Sequence, residues 1–355
     1  MVPLDSLLTW KQSLGYEVGI FTVSWIQSNY TGADIQEQIR NFLIDRYIDL
    51  GIEYVLLVGD NNDIPMRHCF PDPFDHNINS DYCPPTDYYY ADLTGDWDSD
   101  GDGYPGEYGE DDVDFVPEVI VGRIPWSDPT IVREIGEKLV SFENDKSAWK
   151  DNALLLGAMS NYANESGSGL PGTDGAGLME TMIADMLSGW SYTTMYEKEG
   201  INSCLDPCDF PLNGINVVNN WSANDYGIVN WWAHGSYSAA WRKWWESDDG
   251  DGIPEGFEMG WEVFFHTSDI SALDDDHPSL MFTCSCNNGW PELNSLGRML
   301  LEHGSAGIVA STRISWYNEG WTDGNSGGNA SLDYFYFHYL ITERQKTGDA
   351  LYSAK

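Results

Sequence analysis

Hydrophobic and polar positions along the chain follow two alternating periods, one typical of helices and one typical of strands. Apolar residues three or four positions apart predict helices at residues 4–15, 35–50, 128–142, 175–187, 295–303 and 330–355. Between them, alternating or continuously apolar segments predict strands at residues 16–23, 54–58, 117–125, 153–159, 227–233, 280–283 and 306–311. The pattern predicts an α/β protein with a doubly wound, mostly parallel sheet and helices on both faces.

Two interruptions divide this pattern into parts. Residues 68–116 form a long acidic insertion that is rich in proline and tyrosine. Residues 144–150 form a polar stretch that we interpret as a subdomain boundary. The sequence therefore predicts an N-terminal α/β subdomain over residues 1–148, which carries the insertion, and a second subdomain over residues 149–355.

The charge of the chain disfavours two classes of partner. The 355-residue chain has 57 acidic and 17 basic residues, a net charge of −40. Nucleic acid and anionic membrane surfaces are disfavoured partners because both bind basic surfaces. Cations, divalent metals and basic peptides fit better, and a high-salt habitat is an alternative explanation for the acidity. The sequence has no apolar run long enough to predict a membrane span, and it leaves the oligomeric state open.

An acidic motif inside the insertion has the spacing of a calcium-binding loop. In DWDSDGDGYPGE, carboxylates stand at Asp96, Asp98, Asp100, Asp102 and Glu107, with a glycine at the sixth position. Such spacing converges oxygens on a hard cation, and a glutamate at the twelfth position can bind through both oxygens. The flanking segments are not helical, so we predict a calcium loop outside an EF-hand. The alternative is a solvated acidic loop.

A second segment, DGDGIPEGFE, repeats the core of this motif. It lacks two of the upstream aspartates, so it predicts a weaker calcium site with Asp249, Asp251 and Glu255 as ligands.

Four of the six cysteines flank polar loops in two pairs, Cys69 with Cys83 and Cys204 with Cys208. Loop-closing disulfides in an exported protein and free thiols both fit this arrangement. A zinc site is less favoured because the tight paired spacing of zinc ligands is missing.

The predicted strands 227–233 and 280–283 are followed by reactive side chains, His234 and Cys286. Taken singly, a histidine or cysteine at such a position is more often structural. However, sites in open parallel sheets form beyond the carboxyl ends of strands, so both side chains are expected to lie together. An adjacent imidazole shifts a thiol toward its reactive thiolate. The N–H groups of Gly235 and Cys286 are candidate oxyanion donors.

The chain resembles the gingipain-like family of cysteine endopeptidases, which has a caspase-like fold with two side-by-side subdomains. The resemblance is carried, in family order, by WKQSLGYEVGIFTV, YVLLVGDNNDIP, PEVIVGRIP, WWAHGS, CSCNNGW and GIVASTRISW. The family follows its nucleophile with x-Asn-Gly. Cys286 fits that pattern and Cys284 does not, so the resemblance implies that Cys286 is the nucleophile and His234 its partner.

The resemblance also implies further roles. An acid should orient the histidine, and Glu165 is nearest in type. Trp316 matches a wall of the pocket for the side chain before the scissile bond, and Asp174 lies near the position of a carboxylate at its floor. The tryptophans of residues 241–246 are expected to be structural. Together these features imply cleavage of proteins or peptides after Arg or Lys.

The family also implies a secreted or cell-surface protein. Family domains open with a strand before the first predicted helix and close with a Gly-Asp-Pro strand, so the sequence is expected to be truncated at both ends. The alternative function is an inactive homologue that serves as a calcium-dependent extracellular binding module.

Overall fold

A computed structural model describes residues 3–72 and 74–355 of the chain. It divides into two units, one that reaches Val140 and takes in Lys355, and one that comprises Ser141–Ala354. The sequence places the division at residues 148/149, whereas in the structure it falls inside a helix.

The first unit is built on a short parallel pair of strands. In chain order, its elements are α1 (Asp5–Ser13), α2 (Val23–Asn29), α3 (Ile35–Leu50), β1 (Tyr54–Val58), β2 (Arg67–His68), β3 (Pro85–Thr86), β4 (Ile120–Ile124) and α4 (Pro129–Asn144), which continues past Val140. Strands β1 and β4 pair in parallel, from Tyr54 opposite Ile120 to Val58 opposite Ile124. Helix α3 begins where the Asp34 carboxylate accepts the Glu37 N–H, and it ends at Gly51, whose φ of 62° suits glycine.

The strand predicted at residues 16–23 does not form, which corrects the sequence prediction. Residues 16–22 have no regular secondary structure, and α2 begins at Val23 with the Thr22 hydroxyl accepting the Trp25 N–H. An alternating segment becomes a strand only when a neighbouring strand pairs with its backbone. The ladder of β1 is formed with β4, and residues 16–22 take no part in it.

The second unit contains the main sheet. In chain order, its elements are β5 (Asn152–Gly157), β6 (Met159–Asn161), β7 (Thr173–Asp174), α5 (Gly175–Met186), β8 (Ser191–Tyr196), β9 (Phe210–Pro211), α6 (Gly214–Ala223), β10 (Ile228–Trp232), β11 (His234–Ser236), β12 (Ala239–Trp245), β13 (Met259–His266), β14 (Ser279–Cys284), α7 (Leu296–Glu302), β15 (Ser305–Ala310), α8 (Gly328–Phe337) and α9 (Thr347–Ala354). Six parallel strands form the sheet in the order β15-β14-β10-β5-β8-β9.

Helices cover both faces of this sheet. Because strand side chains alternate, Leu155 and Ile228 pack on one face with residues of α5, α8 and α9. Leu154 and Val229 pack on the other face with residues of α6 and α7. The prediction of an α/β fold with a mostly parallel sheet and helices on both faces is confirmed.

The single helix predicted at residues 330–355 is two helices, α8 and α9, joined by a π-helical turn over His338–Thr342. Arg344 follows with a φ of 56°, a left-handed conformation that ends a helix. The periodicity of the apolar residues continues across this break, which is why the sequence does not reveal it.

Strands β11, β12 and β13 form a separate antiparallel sheet. β12 contains the tryptophan-rich segment, in which Trp245 is buried and Trp244 packs beneath the Arg242 guanidinium. Neighbouring side chains of β12 point to opposite sides, so Arg242 and Lys243 contact different groups.

None of the helices that the structure describes is both long and apolar enough to cross a membrane.

Candidate active site

His234 and Cys286 follow neighbouring strands of the main sheet. β10 and β14 pair in parallel with Trp232 opposite Cys284, so both residues lie just beyond the same edge. A side chain at Gly235 would overlap the carbonyl oxygen of Cys286. Only glycine allows this approach, and it brings the His-Gly segment against the loop that carries Cys286.

The environment of His234 fixes which ring nitrogen carries the proton. Nε2 lies 3.0 Å from the carbonyl oxygen of Ser160, an atom that can only accept. Nε2 therefore donates, and Nδ1 is the basic nitrogen of the neutral ring. Burial, followed by the charge of Lys243, lowers the pKa of His234 to about 4. The imidazole is therefore neutral at neutral pH.

The two cysteines at the end of β14 have different surroundings. Cys286 is partly buried, and the Ser315 N–H points to its sulfur at 3.4 Å. Cys284 is buried in the core, and burial raises the pKa of its thiol well above its ordinary value. An apolar core opposes a thiolate at Cys284, whereas Cys286 is only partly buried, so Cys286 is the better nucleophile.

Glu165 is linked to His234 through the Lys243 ammonium and the Ser160 carbonyl. Its two carboxylate oxygens each lie 3.0 Å from the Lys243 ammonium, which also donates to the Ser160 carbonyl at 2.7 Å. In this structure Ser160 therefore accepts the His234 hydrogen bond, and Glu165 reaches the ring through Lys243. Sequence analysis did not single out Lys243, although one lysine inside the aromatic strand WRKWWE indicates a buried cation that needs acceptors.

Asp174 lies at the same edge of the sheet. It caps α5 by accepting the Ala176 N–H at 3.0 Å, and the Cys204 thiol also donates to it. A Cβ on Gly175 would lie 2.7 Å from the Trp232 carbonyl oxygen, so the start of α5 abuts the end of β10. Burial raises the pKa of Asp174.

The segment that contains Trp316 packs beside this edge. The Trp316 side chain is 65% exposed. The Tyr317 hydroxyl donates to Asn161 at 3.3 Å, and the Gly320 N–H donates to Thr173 at 2.8 Å. These bonds attach the segment to β6 and β7, the strands that hold Ser160 and Asp174. Tyr317 is a site residue that sequence analysis did not assign.

All six cysteines are free thiols in this structure. The two loop-flanking pairs, whose pairing the sequence left open, are therefore not bridged here.

The first acidic loop brings most of its predicted ligands together. Oxygens of Asp98, Asp100 and Asp102 lie within 4.8 Å of one another. Glu107 is buried; one of its oxygens lies 2.8 Å from His76 Nε2 and the other has no hydrogen-bond partner. Gly101 and Gly103 have φ values of 78° and 89°, which the tight turn requires.

Asp96 stands apart from the groups of the described residues that could share an ion. Its backbone bridges Asp112, and its carboxylate accepts the Asp98 N–H. His76 and Glu110 instead join Glu107 in such groups, which the sequence spacing alone did not indicate.

The second acidic loop brings its three predicted ligands together. Oxygens of Asp249, Asp251 and Glu255 lie within 4.8 Å of one another. Partial desolvation, then the charges of Asp251 and Asp249, raise the pKa of Glu255. Glu258, buried beside Asp248 and Asp249, is a further candidate that sequence analysis missed.

Comparisons with known proteins agree with this architecture. Gingipain R2 of Porphyromonas gingivalis is 23% identical over 239 residues, which are 66% of this chain and 26% of that protein. Gingipain R1 of Porphyromonas gingivalis is also 23% identical over 239 residues, which are 66% of this chain and 20% of that protein. The chain thus matches about a quarter or less of the length of these relatives.

Solved structures show the same fold. The crystal structure of the Arg-specific cysteine proteinase gingipain R (RGPB) superposes with a TM-score of 0.66 at 17% identity, over 99% of this chain and 68% of that chain. The complex of Porphyromonas gingivalis RgpB pro- and mature domains gives a TM-score of 0.59 at 18% identity, over 98% of this chain and 73% of that chain. The family model of Peptidase family C25 matches residues 1–355. The gingipain-like resemblance is thereby confirmed, and the chain belongs to peptidase family C25.

Proposed function

We propose that the protein is a cysteine endopeptidase that uses Cys286 as nucleophile and His234 as general base. The observation that supports this most is the arrangement of the imidazole. Nε2 is bonded to the Ser160 carbonyl, which leaves Nδ1 as the basic nitrogen, and the His-Gly segment touches the Cys286 loop. Membership of peptidase family C25 supports the reaction type.

The reaction begins with transfer of the Cys286 proton to His234 Nδ1. The thiolate forms a bond to the peptide carbonyl carbon, and the π electrons move to the oxygen, which the N–H groups of Gly235 and Cys286 stabilise. Collapse breaks the carbon–nitrogen bond, and the imidazolium protonates the departing amine. Water activated by the neutral imidazole then hydrolyses the thioester and restores the free thiol.

We propose that the residue before the scissile bond is Arg or Lys. Asp174 supplies a carboxylate at the sheet edge, and the exposed Trp316 indole can lie over a cationic stem, a contact worth roughly 0.5–2 kcal/mol. The net charge of −40 attracts basic peptides. Burial raises the pKa of Asp174, and a bound guanidinium would oppose that shift. Gingipain R, which shares the fold, is described as Arg-specific.

Peptidyl chloromethyl ketones that differ only in the residue before the ketone test both proposals. Arg and Lys reagents are expected to alkylate Cys286 with one equivalent, and faster than Leu or Asp reagents, as followed by intact mass and peptide mapping. Asp174→Asn should slow the Arg reagent by at least about tenfold while leaving the Leu reagent unchanged, because only the former needs the carboxylate.

The identity of the fastest reagent and the number of cysteines labelled distinguish the basic pocket from the catalytic dyad. Faster single-site labelling by the Leu or Asp reagent would refute the basic pocket and leave the dyad standing. Slow labelling spread over several cysteines would refute the peptidase and favour a calcium-dependent binding module.

We also propose that both acidic loops bind calcium. The first loop offers Asp98, Asp100 and Asp102. Glu107 shares further groups with Asp100 and with Asp102, and one of its oxygens is buried without a hydrogen-bond partner. The second offers Asp249, Asp251 and Glu255. Carboxylates converging without a cation repel one another, so a hard divalent ion suits both donor sets. Calcium there would hold the loops in shape.

Chelation of calcium is expected to lower the melting temperature, because an ion bound only by the folded state stabilises it, by about 2.7 kcal/mol at a concentration near 100 Kd. Asp98→Ala combined with Asp100→Ala should remove most of that shift in differential scanning calorimetry. Asp45→Ala with Asp49→Ala, the same charge change on exposed positions of α3, is the matched control and should keep it. Identical melting curves with calcium and with chelator would refute the calcium sites.

We propose a secreted or cell-surface location, where calcium is abundant enough to fill sites of modest affinity. Immunodetection of the protein in intact source cells and their medium tests this. Protein that is found only inside the cells, where added protease cannot degrade it, would contradict this location.

A further inference from the structure

Lys243 is a buried cation in contact with the histidine environment. Its side chain is only 3% exposed, and it lies on β12, next to the strand that begins with His234. Its ammonium has three acceptors: the Ser160 carbonyl at 2.7 Å and both oxygens of Glu165 at 3.0 Å. A buried ammonium is tolerated only when its N–H groups are used, and here three acceptors match its three donors.

One carbonyl oxygen serves both side chains. The Ser160 oxygen accepts from His234 Nε2 at 3.0 Å and from Lys243 Nζ at 2.7 Å, one bond for each of its two lone pairs. Lys243 therefore holds the atom that orients the imidazole, and its positive charge opposes a second positive charge on the ring. Glu165 partly neutralises that charge.

Apart from Lys243, the groups of the described residues that act on the imidazole are uncharged, and one of them is the Met159 backbone carbonyl. Trp261 of β13 packs against the ring with its centroid 4.8 Å away, and it carries no charge. The loop after β14 also approaches this segment, where a side chain on Gly235 would overlap the Cys286 carbonyl oxygen. The Tyr317 phenol, near Cys286 and Glu165, comes from the segment after β15, and burial raises its pKa to about 12, so it stays neutral. Lys243 is thus the charge that acts directly on His234, and Glu165 acts on the ring through Lys243.

We propose that Lys243 and Glu165 are positioning residues that hold the His234 ring through the Ser160 carbonyl and set how readily it takes up a proton. The inference rests on the proposed function for its catalytic meaning. The expected effect of Lys243 and Glu165 on the pKa of His234 applies to the folded protein whether or not it cleaves peptides.

Two substitutions that should shift the pKa of His234 in opposite directions test this proposal. Lys243→Met removes the positive charge and should raise the pKa of His234 by about one unit or more, whereas Glu165→Gln leaves the lysine unbalanced and should lower it. The double variant should lie between them, and Lys243→Arg, which keeps the charge, should stay near the wild-type value. The pKa is measured by NMR titration of the imidazole C2–H signal, assigned by its loss in His234→Gln.

The pH profile of kcat/KM measures the effect of the same substitutions on catalysis. Its acid limb, where the base becomes protonated, should move to higher pH in Lys243→Met and to lower pH in Glu165→Gln. Single variants that shift the His234 pKa in the same direction, or not at all, would overturn the inference. Opposite NMR shifts in a protein that chloromethyl ketones fail to label would instead refute the proposed function and leave the network intact.

Discussion

Cys286→Ala is expected to abolish peptidase activity, with a loss on the order of 10⁴-fold or more, because removing the nucleophile removes the covalent route. The imidazole of His234 then has no thiol to activate. The measurement is hydrolysis of a fluorogenic Arg peptide by purified wild-type and variant proteins, with circular dichroism to establish that both are folded.

Cys284→Ala is the matched control, at the last residue of β14 and two residues earlier in the chain. This side chain lies in the core, with its thiol kept protonated by burial, so its loss should cost about 1 kcal/mol of stability and leave a measurable fraction of activity. If Cys284→Ala is inactive and Cys286→Ala is active, the nucleophile is Cys284 and not Cys286.

The sequence predicts the main sheet well because its signal is local. Strands β10 and β14 are mostly apolar, and each is followed two residues later by a reactive side chain, His234 or Cys286. Residues 16–23 also show a strand pattern, yet 16–22 remain irregular. Whether a segment joins a sheet depends on a neighbouring backbone, which alternation along one segment cannot reveal.

The same distinction applies to the site. His234 and Cys286 can be found from the sequence because each follows a predictable strand. The partners of the histidine cannot: Ser160 lies 74 residues before His234 and 83 before Lys243. The spacing of the acidic loops identified Asp98, Asp100 and Asp102, but His76 joins them from 31 residues before Glu107. Contacts of this range follow from tertiary packing.

Arg242 is the other buried cation of β12, and its substitution should have the largest effect on stability. The Arg242 side chain is 2% exposed, and its guanidinium pairs with Glu197 at 2.8 Å, Glu199 at 2.9 Å and Glu262 at 3.0 Å. Glu199 and Glu262 are about half exposed, so water screens them. Glu197 is fully buried, one of its oxygens has no hydrogen-bond partner, and burial raises its pKa to about 7.

Arg242→Ala would leave the Glu197 carboxylate buried without its cation, at a cost of about 3–5 kcal/mol. That corresponds to a fall in melting temperature of roughly 6–20 °C for a unit of this size. The cost should depend on pH with a definite sign. A carboxyl whose folded pKa lies above its unfolded value of 4.5 favours the fold at low pH, and this contribution is lost as pH rises toward 7.

Without Arg242 the folded pKa of Glu197 rises further, so the variant should keep losing stability above pH 7, where the wild-type protein no longer does. Thermal unfolding of both proteins at pH 5 and pH 8 measures this, and the difference between them should be larger at pH 8. Adding Glu197→Gln to Arg242→Ala removes the buried charge and should recover most of the loss at pH 8, because an amide carries no charge to desolvate. An equal loss at both pH values, with no recovery in the double variant, would mean that Arg242 stabilises the protein by packing on Trp244 rather than by pairing with Glu197.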